Sequence, residues 1–295
     1  MVTGCAGTTS SETGSGPATT AATATAPSTA TTTSSRAAGL VELTFVDRSR
    51  ATPARPPEPA RPIRVLRTTV WLPSGRGPWP LVVFGHGFDA RVSTYAVLLG
   101  TLSRAGFVVA APELPGSSSA LAGTPDERDL DQQPCDLLYV AGEVERDPAL
   151  AGVVARGPVV LAGQSDGATA AAFGALTEPA GACGGPAVAG VVAFSVDPVP
   201  VRAGATASVL AITGTADEVN PVAHTVALYA AAPRRAFLLL SAGDGHLAPS
   251  TDSPHARAIA TVVVDYLDAT LHDDRGAAAR LVVDARVPGL TLEQR

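Results

Sequence analysis

Short unbroken apolar runs, each followed by a stretch with helical spacing, narrow the possible folds of this 295-residue chain more than any other feature. Leu81 to Phe84, Phe107 to Ala111, Pro158 to Ala162, Val188 to Phe194, Val209 to Thr213 and Ala236 to Leu240 read as buried strands. Tyr95 to Ala105, Asp136 to Arg146, Ala168 to Leu176, Val222 to Ala231 and Ala258 to Leu271 read as helices. Fully apolar strands alternating with helices predict an α/β fold whose mostly parallel sheet carries helices on both faces. Two earlier segments, Leu40 to Val46 and Ile63 to Leu72, alternate instead and predict a pair of antiparallel entry strands. A Pro/Arg-rich connection, Arg48 to Pro62, separates them and cannot be a central strand. The last stretch is read as a short helix or strand. One domain over residues 40–295, with no separate lid, is the expectation.

Composition narrows the function classes. The formal net charge is −6, every cation is Arg, and no basic cluster suggests a nucleic-acid surface. Aromatic residues make up 4% of the chain, so a substrate pocket must be built mainly from aliphatic side chains. No stretch approaches the roughly 20 apolar residues that span a bilayer.

Residues 1–39 read differently. Val2-Thr3-Gly4-Cys5 resembles the lipobox of bacterial lipoproteins, whose Cys is acylated, which makes Cys5 the lipidation candidate. The Ser/Thr/Ala/Gly-rich tract after it cannot bury enough surface to offset its ordering entropy and predicts a disordered tether. The charged and apolar regions of a signal peptide do not precede Cys5, so the expected start lies upstream of Met1. A chance four-residue match is the alternative. An exported protein invites a disulfide between Cys135 and Cys183. Against it, Cys135 is placed where a helix begins near the carboxyl edge of the sheet, and Cys183 past the next helix near the opposite edge. A helix of about ten residues is roughly 15 Å long, beyond the reach of a disulfide. This reading leaves the pair open and leans against a bond.

The chemistry gathers after the strands. Gly163-Gln164-Ser165-Asp166-Gly167 matches G-x-S-x-G between a strand and a helix, the setting of a nucleophile elbow. A Ser hydroxyl needs a base, and His is the usual one near neutral pH. Of five imidazoles, His86 lies upstream of the Ser, His224 and His272 lie in helices, and His255 precedes the closing helix. His246 follows the last apolar strand and is the choice. Chain order Ser, acid, His selects Asp217, directly after the strand ending at Thr213. Asp197 is the runner-up, and Asp244 is too close in sequence to His246 for easy pairing. Backbone N–H groups of Asp166 and Phe88 are the candidate oxyanion donors. The Asp166 side chain, unhelpful beside a developing negative charge, is expected to point away or pair with an Arg.

On these residues the chain resembles bacterial α/β-hydrolases of the esterase branch that includes cutinase-like polyester hydrolases, chlorophyllase-like proteins and dienelactone-hydrolase relatives. The matching segments run from about Val41 to about Leu271. They include Val83-Phe84-Gly85-His86-Gly87-Phe88, Ala105 to Pro112, Asp131-Gln132-Gln133-Pro134, the elbow, and the Asp217 and His246 loops. The resemblance implies the α/β-hydrolase fold and a secreted serine esterase that uses Ser165, Asp217 and His246. It implies no metal or organic cofactor. The expected partner is a small or lipid-like ester of short to medium acyl length. A monomer is expected, with a membrane engaged only through Cys5. Gln164 stands where many relatives carry His or Trp, and Ser195 to Arg202 lacks the Trp that polyester hydrolases place there. A peptidase, thioesterase or acyltransferase could use the same triad. A non-catalytic, surface-tethered binding lipoprotein is the alternative from another class.

Overall fold

A computed structural model describes residues 39–177, 183–232 and 235–295. The candidate tether and Cys5 lie outside the described residues. Nine strands form one sheet in the order β1-β2-β4-β3-β5-β6-β7-β8-β9. The entry strands β1 (Leu40–Asp47) and β2 (Arg64–Trp71) pair antiparallel, and β2 pairs antiparallel with β4 (Val108–Pro112). From there β3 (Leu81–Gly85), β5 (Val159–Gln164), β6 (Val188–Phe194), β7 (Ser208–Gly214) and β8 (Ala236–Ser241) continue in parallel. This is the mostly parallel α/β sheet that the strand pattern predicts, in the α/β-hydrolase architecture that the resemblance implies. The tail supplies a helix and a strand, and β9 (Leu290–Gln294) closes the far edge antiparallel to β8.

Side-chain alternation in the strands divides the core in two. Leu81, Val83, Leu161, Val191 and Val209 meet helices α2 (Gln133–Arg146), α3 (Asp166–Leu176) and α4 (Val222–Ala231). Val82, Phe84, Val160, Val192 and Leu210 meet α1 (Ala96–Arg104), α5 (Ala256–Leu271) and α6 (Arg275–Asp284) on the other face. Both faces are covered, which is why these strands carry no polar alternation.

The expectation against a disulfide is overturned. Cys135 and Cys183 are bonded, with Cα atoms 5.0 Å apart. The helix-length argument placed α2 and α3 wrongly along the sheet. The first turn of α2 lies abreast of the last turns of α3: a Cβ at Gly174 would sit 3.7 Å from the Pro134 carbonyl oxygen and 3.6 Å from Leu138. The chain returning after α3 then brings Gly185 onto Leu138, so Cys183 arrives beside the start of α2.

Candidate active site

Strand β5 delivers Ser165 into a turn that helix α3 follows without an intervening residue. Ser165 sits at φ 54° and ψ −124°, a backbone conformation that an L residue holds only where its surroundings enforce it. The enforcement comes from glycine contacts. A Cβ at Gly163 would run into the backbone of Gly167, and one at Gly167 would run into the backbone of Gly85. Elbow, helix start and end of β3 therefore interlock through bare backbone.

His246, in the loop after β8, places Nε2 2.9 Å from Ser165 Oγ. Its Nδ1 faces both oxygens of Asp217, at 2.9 and 3.0 Å. These partners select the Nδ1–H tautomer, in which Nδ1 donates to the carboxylate and Nε2 accepts from the hydroxyl. Asp217 Oδ1 also accepts from the amides of Val219 (3.0 Å) and Asn220 (2.9 Å). Burial pushes this carboxyl up. The hydrogen bonds from His246 and the two amides outweigh that, and the group stays below its ordinary value. The amide nitrogen of the Asn220 side chain donates to the Ser195 carbonyl at 2.7 Å, tying the acid loop to the end of β6. Sequence reading missed Asn220, although Asp217-x-x-Asn220 has the spacing of an Asp side chain capping a turn.

The oxyanion candidates sit on the two backbone segments next to Ser165. A Cβ on Gly87 would lie 3.3 Å from Ser165 Cβ, which puts the Gly87-Phe88 turn beside Ser165. Ala90 N–H closes that turn on the Gly87 carbonyl, and Gly87 N–H donates to the Tyr95 hydroxyl. Phe88 N–H has no acceptor among the described residues. Asp166 opens α3, where the first N–H groups have no partner inside the helix.

Of the two expectations for the Asp166 side chain, pairing with an Arg is not seen among the described residues. Its Oδ2 is buried with no hydrogen-bond partner among the described residues. Burial, then the neighbouring Asp197 and Glu127 carboxylates, push its pKa up to about 6 against a weaker pull from His246. The runner-up acid Asp197 accepts from Thr169 Oγ1 at 3.2 Å instead of from His246. Asp244 accepts from Ser241 Oγ.

The other imidazoles lie elsewhere. His86 is fully buried; its Nδ1 donates to the Gly87 carbonyl (2.8 Å) and its Nε2 accepts from Leu114 N–H (2.9 Å). Burial holds its pKa below the ordinary imidazole value, so it ties the Gly87-Phe88 turn to Leu114, just past β4, as a neutral ring. His255 meets Ser241 Oγ, His272 stacks near Phe107, and the buried His224 Nδ1 has no partner among the described residues.

The model of the chlorophyllase family matches residues 36–208, more than half of the chain. The chain belongs to the chlorophyllase family. Membership makes it an ester hydrolase of general type within the α/β-hydrolase superfamily. The match covers the chlorophyllase-type strands β1 to β6 and the Ser165 elbow; Asp217 and His246 lie beyond its end. No curated protein matches the chain. Among the described residues of this family member, no cluster of His, Cys, Asp and Glu is suited to a metal ion. No described helix is long and apolar enough to cross a membrane.

Proposed function

We propose that the chain is a serine esterase in which Ser165, His246 and Asp217 act as nucleophile, base and orienting acid. The observation that carries this is the continuous path from Ser165 Oγ through His246 to Asp217, with every step near 2.9 Å. Ser165 attacks the ester carbonyl while His246 Nε2 takes its proton. The resulting oxyanion is stabilised by the N–H groups of Phe88 and Asp166. His246 then protonates the leaving alcohol, and the acyl group remains on Ser165. Water, deprotonated by the same imidazole, releases the acid and restores the hydroxyl.

The preferred substrates are esters of short to medium acyl length. In support, the connection from β6 to β7, Ser195 to Ala207, contains no inserted helix to cover a long chain. Apolar groups flank the triad: Leu247 next to His246 and Val219 two residues past Asp217 are both exposed, at 40% and 65%. Export is part of the reading, supported by the Cys135–Cys183 disulfide. Lipid attachment at Cys5 would hold the exported enzyme at a membrane surface.

A fluorophosphonate probe tests the mechanism. Labelling of the full chain that disappears in Ser165→Ala is the expected result, and labelling that persists in Ser165→Ala sinks the reading. A series of p-nitrophenyl esters then reads the acyl preference, with kcat/KM expected to peak at short to medium chains.

A further inference from the structure

One polar chain in the core crosses behind the candidate active site and is not used by the triad. Gly87 N–H donates to the Tyr95 hydroxyl at 3.2 Å. That hydroxyl donates to Gln164 Oε1 at 2.8 Å, and Gln164 Nε2 donates to the backbone carbonyl of His246 at 3.3 Å. Tyr95 is fully buried and Gln164 is 2% exposed, so neither side chain can replace these partners with bulk water. The Tyr95 ring is further fixed against Phe84, 4.9 Å between centroids, on the strand that leads into the oxyanion turn.

The three backbone segments joined in this way are those the chemistry must hold in register. Gly87 precedes Phe88, whose N–H is the proposed oxyanion donor. Gln164 precedes the nucleophile. His246 carries the base on a loop after β8, with no regular element to hold it. A side-chain amide suits the middle position because it accepts on one oxygen and donates on one nitrogen. A Trp there could only donate.

We propose that Gln164 and Tyr95 are positioning residues that lock the oxyanion turn and the His246 loop to each other. The inference rests on the serine esterase reading. It deepens that reading by assigning two side chains that touch no substrate. Losing either link lets donor and base shift relative to Ser165, which affects the tetrahedral transition state more than substrate binding.

The test compares Tyr95→Phe, Gln164→Met and the double variant with wild type, using the full chain. Tyr95→Phe removes one oxygen, and Gln164→Met keeps the length of the side chain without its polar atoms. On p-nitrophenyl butyrate each single variant is expected to lose about 10-fold or more in kcat, with KM within about two-fold. The inhibition constant of a boronic acid, which binds as a tetrahedral adduct, should weaken in parallel. Because the two residues form one chain, the double variant should be about as slow as the slower single. Kinetic outcomes that overturn the inference are kcat within two-fold of wild type in the single variants, or losses that multiply in the double.

Hydrogen exchange over peptides covering residues 85–90 and 242–250 gives a readout independent of activity. Both peptides are expected to exchange faster in Gln164→Met, and unchanged exchange in both overturns the inference. Should Gln164→Met fail to fold, Tyr95→Phe alone decides it by the same measures. Absence of fluorophosphonate labelling in wild type would sink the esterase reading. The exchange data would still decide whether the two loops are tied.

Discussion

Asp217 holds His246 through both of its carboxylate oxygens, and it does so while accepting two backbone amides on Oδ1. The carboxylate is thereby fixed in place before it orients the imidazole. Replacing Asp217 by Asn would present an N–H where Nδ1–H now donates, and the ring would turn to the wrong tautomer. Asp217→Asn is expected to lower kcat by about 1,000-fold or more with little change in KM. Steady-state kinetics on a p-nitrophenyl ester check this; a loss below ten-fold would remove Asp217 from the mechanism.

Asp166 gives a pH-dependent prediction. Its carboxyl titrates at about 6 in the folded chain against an ordinary 3.8. Between these values the folded state keeps a proton that the unfolded state has lost. The residue's contribution to stability therefore declines as pH rises through this window and stays reduced above it. Asp166→Asn cannot ionise. It should stabilise the protein by about 1–2 kcal/mol near pH 8 and leave it unchanged near pH 3, below both pKa values. Thermal melts at both pH values read the difference, and equal shifts would count against it.

The elbow predicts a steric failure. Gly167 packs on the carbonyl ends of Gly85 and His86, so a methyl group there must displace backbone instead of a flexible side chain. Gly167→Ala should cost about 3 kcal/mol, the upper end for overpacking. It should also lower kcat by about 10-fold as the oxyanion turn moves off the nucleophile. Urea unfolding together with kinetics measures both.

The disulfide predicts the opposite pairing of effects. It joins residues 48 apart, and opening it returns that loop's freedom to the unfolded chain. A Cys135→Ala/Cys183→Ala double variant should lose about 2–4 kcal/mol in denaturant unfolding. Its kcat should stay within two-fold of wild type, since neither cysteine touches Ser165, His246 or Asp217.

How much of this was legible in the sequence follows from what each signal depends on. Strands such as Leu81–Gly85 and Val159–Gln164 are apolar throughout because helices cover both faces, and that pattern is local. The elbow is legible because Gly163, Ser165 and Gly167 act on one another within five residues. Elimination then singled out His246, whose Nε2 lies 2.9 Å from Ser165 Oγ, and chain order singled out Asp217, whose Oδ2 lies 2.9 Å from His246 Nδ1. The disulfide was misread because its geometry depends on how far α2 is offset along α3, which no spacing in the sequence records. The buried Arg64, paired with Asp129 and Asp136, was passed over as one more polar residue of an alternating strand. Tyr95 read only as the start of a helix. Its role arises from Gly87 and Gln164, which lie 8 and 69 residues away in sequence.

The cystine encloses the stretch of chain that holds Ser165. A single backbone cut anywhere between residues 136 and 182 would therefore leave one covalent molecule, and two fragments would separate on a gel only after a thiol is added. Cleaved protein would keep Ser165 covalently attached to the part of the chain that carries Asp217 and His246.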